Sequence, residues 1–240
     1  LTLPQVLKNA RQYFQSPISM RLYLSTSSSK QLFSYNYQNR LTGAIHKWLG
    51  ADNPYHGKPA LYSFSALNGG HSVENQGLRF PDGARWFISA FEPEFIKRLI
   101  LGIQRDPLIM EDMTVRDVMI QEDPAFGAAR VFKVGSPVLV KQKLPEGRTH
   151  HCIFSEAAAD KLLTMTLRTK LMKAGLPTDG VRVEFRRDHP GARVKVIHYD
   201  GIGNRANFCP VAISGSPEQL AFAWNVGIGN STGIGFGSLV

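Results

Sequence analysis

The chain has 240 residues, 43% of them hydrophobic, and carries 28 Lys and Arg against 19 Asp and Glu, a net charge of +9. That length excludes a disulfide-stapled miniprotein and suits two small domains, and no stretch nears the ~20 apolar residues of a membrane-spanning helix. The positive excess favours a polyanionic partner.

The excess is also uneven: residues 1–125 carry 13 basic and 11 acidic side chains, whereas residues 126–210 carry 15 and 7. The second half is therefore the expected anion-facing half. Cys152 and Cys209 form neither a disulfide framework nor a metal-ligand spacing. With no basic, apolar and small-residue leader at the start, the expectation is a cytoplasmic protein.

Residues 1–19 differ in pattern from the rest of the chain. Tyr13-Phe14-Gln15-Ser16 resembles the end of a protease-recognition sequence used to remove purification tags, with Met20 then the natural start. The competing reading is a short amphipathic helix with Pro4 in its first turn and Leu3, Val6, Leu7, Ala10 and Phe14 on one face. From Met20 the pattern is regular: a strand over 21–26, a helix with Leu41, Ala44, Ile45, Trp48 and Leu49 on one face, and a loop over 51–59. Strands over 61–66 and 84–91, a helix over 93–104 and a strand over 114–121 come next.

This β-α-β-β-α-β order is the ferredoxin-like unit. A second approximate copy is predicted from strands over 131–142 and 149–154, a helix capped by Ser155 and ending at Gly175, and strands over 181–187, 193–199 and 207–213. A short helix over 217–226, a glycine-rich loop and a closing strand complete it. The fold expected is α+β, two tandem ferredoxin-like (RRM-like) domains over residues 20–123 and 124–240.

Val226 to Gly237 holds five glycines at near-alternating positions, a composition that lets backbone amides approach anionic oxygens. The segment lacks the Gly-Lys-Ser or Gly-Lys-Thr ending of a mononucleotide loop. A tight turn or a strand packed against other backbone is the competing reading. Gly227, Gly229, Gly235, Phe236 and Gly237 resemble the C-terminal signature of the CRISPR-associated endoribonucleases that process precursor CRISPR RNA, members of the RAMP superfamily. Arg40 to His46 resembles that family's first-helix pattern, Leu61 to Ser65 its aromatic-rich strand, and Val134 to Val138 the start of its second half. The resemblance implies two ferredoxin-like RAMP domains and an RNA partner, the CRISPR repeat of precursor crRNA. Subunits of a CRISPR effector complex are further possible partners, and the oligomeric state is left between monomer and homodimer.

Cleaving RNA without a metal or other cofactor needs a base for the 2'-OH, an acid for the departing 5'-oxygen and a cation at the phosphoryl oxygens. Histidine suits both proton roles, with an unperturbed pKa of about 6.5, and lysine the third. His46 lies on the first helix and His56 ten residues on in the following loop; the resemblance points to the same two positions. Lys58 is the expected cation, with Lys47 its rival, and Tyr55 could orient the substrate. Binding is assigned to Lys161, Arg168, Lys170 and Lys173 on the polar face of the second-half helix and to Arg186, Arg187, Arg193 and Lys195 near a hairpin. Gly227, Gly229, Gly235 and Gly237 are the expected phosphate cradle. The rival functions are a catalytically silent RAMP-type RNA-binding subunit and a ribosomal or RNA-recognition-motif protein. No segment reads as the aromatic motif that the latter needs.

Overall fold

The computed structural model describes residues 20–240 except 56, 58 and 75. In chain order the first elements are β1 (Met20–Thr26), β2 (Ser29–Phe33), α1 (Gln38–Leu49), β3 (Tyr62–Phe64), β4 (His71–Val73), β5 (Gly77–Phe80), β6 (Arg85–Ala90), α2 (Pro93–Arg105), β7 (Leu108–Met110) and β8 (Met113–Glu122). There follow β9 (Ala129–Phe132), β10 (Lys141–Lys143), β11 (Thr149–His151), α3 (Ala158–Lys173), β12 (Arg182–Phe185), β13 (Arg193–Tyr199), β14 (Ile202–Phe208), β15 (Val211–Ser214) and α4 (Pro217–Val226). Two compact units result: the described residues before Pro59 with Ala66–Asp123, and Pro59–Ser65 with Pro124–Val240. The segment 1–19 lies outside the described residues.

In the N-terminal unit the sheet runs β6-β1-β8-β7. Alternation along β1 sends Met20, Leu22 and Leu24 into the core, with Leu22 opposite Ile88 on one side and Ile120 on the other. The predicted stripe of α1 is buried as Leu41, Ala44, Ile45, Trp48 and Leu49, and that of α2 as Phe95, Ile96, Leu99, Ile100 and Ile103. The two helices meet at Gly102, where a Cβ would collide with the backbone of Trp48. A small sheet, β2-β5-β4, has no counterpart in the sequence reading. Its β2 is exposed along its three middle residues and so shows no apolar alternation.

In the C-terminal unit β12, β15 and β9 form an antiparallel sheet, with Val183 opposite Ile213 and Val211 opposite Phe132. The predicted closing strand is present as backbone bonds between Lys133 and Val240 and from Gly135 to Ser238. Three local expectations are corrected. The long strand expected over 131–142 is broken, β9 ending at Phe132 and β10 starting at Lys141. The strand expected over 207–213 is two strands, divided at Pro210, which has no N–H to give a ladder. Ser155 does not cap α3, whose N-terminal flank is Ala157 with no side-chain cap. By contrast α4 starts at a full capping box between Ser216 and Gln219. The hairpin of β13 and β14 forms a separate two-stranded sheet, turning at Asp200 and Gly201, both with positive φ.

Candidate active site and nucleic-acid interface

His46 occupies the last turn of α1, half buried, because it falls one position after the core residue Ile45. Its neighbour Lys47 is already committed. The Lys47 ammonium donates to Asp106 Oδ2 at 2.8 Å and to the Leu108 carbonyl at 2.6 Å. Trp48 Nε1 donates to the Asp106 carbonyl at 2.7 Å, so consecutive side chains bind α1 to the chain leaving α2. The hydrogen bond from Lys47, then that from the Leu108 amide, holds the Asp106 carboxyl below its ordinary range. Lys47 therefore serves the fold. His56 and Lys58 themselves lie outside the described residues.

Tyr55 also has a packing role. Its ring meets that of Phe95 edge-on with centroids 5.0 Å apart, and its amide donates to Asn53 Oδ1 at 2.9 Å. Burial, reinforced by Glu92, pushes the phenol up to about 12. It fixes the loop onto α2 as a neutral hydroxyl.

In the C-terminal unit the glycine-rich segment is a knot of backbone against backbone. A Cβ on Gly229 would lie 2.5 Å from the Leu139 carbonyl oxygen, and one on Gly237 would fall inside that of Ile228, both at positive φ. The phosphate cradle expected of these glycines is corrected at three of the four. The amides of Gly227, Gly235 and Gly237 donate to the carbonyls of Ala223, Thr232 and Pro137 and so are spent inside the fold. Gly229 lines a cleft. Two side chains of β3 brace the segment: Tyr62 donates to the Gly233 carbonyl at 3.1 Å and Ser63 to the Asn225 carbonyl at 3.0 Å.

Lys170 is the second correction. The sequence reading left it on the solvated face of α3, yet it is buried among the core positions. Its ammonium donates to the carbonyls of Val226 and Gly227 and to Thr232 Oγ1, at 3.2 to 3.3 Å. Burial lowers its pKa to about 7. The physical reason is that the glycine segment lays exposed carbonyls across α3, and a long amphipathic side chain reaches them where an apolar one would leave them unpaired.

Beside Lys170 opens a cleft of about 450 Å³, lined by Pro59, Ala60, the α3 face from Leu162 to Lys173, and Gly229 to Thr232. Its lining is apolar at Leu162 and Met165, the hydroxyls of Thr166 and Thr169 donate to the Leu162 and Met165 carbonyls, and exposed Lys173 also lines it. A flat base with a phosphate beside it matches such a surface in kind.

The remaining predicted cations divide by what they touch. Lys161 is exposed, and Arg168 reaches back to the Val181 carbonyl at 3.2 Å. Arg186 pairs with Asp188 at 2.9 Å and Arg187 with Asp160 at 2.7 Å. Arg193 and Lys195 project from one face of β13 over the ring of Phe208, at 5.0 and 5.3 Å from its centroid. The structure adds a basic group absent from the sequence reading. Lys141 reaches Ser231 Oγ at 3.4 Å, its amide donates to Asn230 Oδ1, and it stands opposite His151 in the β10-β11 pair. Burial, then the charges of Lys141, His150 and Arg205, holds His151 below the usual imidazole range. Only the hairpin register brings these together, and the alternation Lys141-Gln142-Lys143 was the one trace of it.

The family model described as CRISPR associated protein Cas6, C-terminal, matches residues 121–240. Three solved structures are similar, each over 92% of this chain and 98% of its own. One is described as CRISPR associated protein Cas6, at 22% identity and TM-score 0.77. Another is the product of a Cas6-related gene from Pyrococcus furiosus, at 19% and 0.82. The third is a RAMP protein binding different RNA substrates, at 19% and 0.80. No curated protein matches the sequence. These likenesses bear out the tandem ferredoxin-like class. Among the described residues no helix is long and apolar enough to cross a membrane.

Proposed function

The chain belongs to the CRISPR-associated Cas6 family, and from that premise we propose that it is a metal-independent endoribonuclease cutting CRISPR repeat RNA in precursor crRNA. The observation that carries this reading is the family match over the half of the chain that bears both the basic surface and the cleft. The cleft is lined from Pro59 onward, one residue after Lys58 in sequence.

In this reading one of His46 and His56 takes the proton from the ribose 2'-OH. The 2'-oxygen attacks the adjacent phosphorus, the bond to the 5'-oxygen breaks, and the other histidine protonates that oxygen. Lys58 stabilises the charge on the phosphoryl oxygens. The products are a 2',3'-cyclic phosphate and a 5'-OH. Arg193 and Lys195 of β13, with Lys161, Arg168 and Lys173, hold the backbone of the repeat, and the cleft beside Gly229 accepts an unpaired nucleotide.

A second reading, a catalytically silent RNA-binding RAMP subunit of a CRISPR effector complex, is favoured by the likeness to a RAMP protein described as binding different RNA substrates. One experiment separates them: end-labelled host repeats incubated in excess EDTA with the native protein, His46→Ala and His56→Ala. A single cut ending in a cyclic phosphate, lost in a variant, establishes the nuclease. Binding without cleavage by the native protein establishes the subunit.

A further inference from the structure

A cluster of residues with no part in the chemistry above joins the β10-β11 hairpin to the start of α3. His150 and Cys152 fall two residues apart, so they share a face of the extended chain. Gln142 stands opposite His150 in the strand pair. The turn into α3 then carries Glu156 back to both. His150 Nε2 lies 2.8 Å from Glu156 Oε2, and Cys152 Sγ lies 3.6 Å from Gln142 Oε1. One ligating atom from each of His150, Cys152 and Glu156 lies within 4.8 Å of the other two.

We propose that His150, Cys152 and Glu156, with Gln142 Oε1 or a water as the fourth ligand, form a zinc site that clips the hairpin to α3. A thiolate, an imidazole and a carboxylate suit zinc, whereas magnesium and calcium take oxygen ligands alone. Tetrahedral zinc with bonds of its ordinary lengths sets its donors roughly 3.3 to 3.8 Å apart, a spacing this cluster reaches by small side-chain shifts. The supporting contacts are built as well. Glu156 Oε1 accepts the Ile153 amide at 2.9 Å, which fixes the carboxylate and leaves Oε2 for the ion. Arg187 donates to the Glu156 carbonyl and holds the same turn. Cys152 is buried, so its thiol is shielded from bulk oxidants, while His150 and Glu156 are partly exposed and give the ion an entry path. On binding, the thiol proton leaves to solvent and His150 coordinates as the neutral imidazole protonated at Nδ1.

The site is structural and independent of RNA cleavage, so its readouts are too. Untagged full-length protein, stripped of metal, is titrated with Co²⁺ and then Zn²⁺. The expected result is one ion per chain, with a thiolate-to-cobalt charge-transfer band and the intense visible bands of tetrahedral cobalt, all displaced by Zn²⁺. Zn²⁺ also raises the melting temperature. Cys152→Ser abolishes the charge-transfer band, and His150→Ala and Glu156→Gln each weaken zinc binding about tenfold or more. If Cys152→Ser does not fold, the two partly exposed positions decide. Absence of the band in native protein, a band that survives Cys152→Ser, or zinc affinity indifferent to His150 and Glu156 overturns the proposal.

Discussion

The two units spend their polar residues in different ways. In the N-terminal unit, Lys47 and Asp106 tie helix to loop at the surface, while His46 is half buried at a helix end with its apolar neighbours already supplying the core. In the C-terminal unit, Lys170 lies inside and pairs the carbonyls of the glycine segment. The contrast teaches that a charged residue's position relative to backbone carbonyls, more than its place on a helical wheel, decides whether it serves the fold or a ligand.

The sharpest break of that contrast is at the histidines. His46→Ala and His56→Ala are expected to lower the cleavage rate by about 10²- to 10⁴-fold each, the usual worth of a general acid or base, with little change in melting temperature. A rate loss accompanied by unfolding would move His46 into the structural class with Lys170.

Next in size is the glycine knot. Gly229→Ala or Gly237→Ala forces a side chain against backbone at positive φ, so a destabilisation of about 1–3 kcal/mol or more is expected in denaturant unfolding. Lys170→Met keeps the length and removes the donor; stranding two buried carbonyls is expected to cost about 1–3 kcal/mol. It also changes the pH profile. With the Lys170 pKa lowered from 10.5 to about 7, the unfolded chain binds more protons between those values. Native stability should therefore rise with pH across that window, by at most about 1.4 kcal/mol per pH unit, less as the three acceptors favour the ammonium. The methionine variant lacks this rise, and an identical profile in both proteins would place the ammonium in solvent.

The smallest effects belong to the surface cations. Removing Arg193 or Lys195 is expected to weaken repeat binding and to lower the salt slope of log K by about 1 for each phosphate that the variant no longer neutralises. Arg186→Ala should matter less, because its guanidinium is already paired with Asp188. Filter binding across a salt series ranks the three.

Much of the fold was legible along the chain. The stripes of α1 and α2, the alternation of β1 and the start of α4 at Ser216-Pro217 are local patterns, each readable because its partner is the core in general. The break after β9, the division at Pro210 and the small sheet of β2, β5 and β4 were not, since each depends on which strand lies alongside. Of the candidate site, only the place of His46 just past the apolar stripe of α1 was legible. The role of Lys170, the cleft beside Gly229 and the contact of Lys141 with Ser231 were not.

By itself, then, the sequence determined the alternation of the main strands and helices, the core-facing sides of α1 and α2 and the half that carries the positive charge, because periodicity and charge are properties of neighbours in the chain. Only the tertiary structure decided that Lys170 faces inward, that three glycine amides are consumed, and that His150, Cys152 and Glu156 converge. Those outcomes depend on which carbonyls and side chains residues distant in sequence bring alongside, and packing alone selects them.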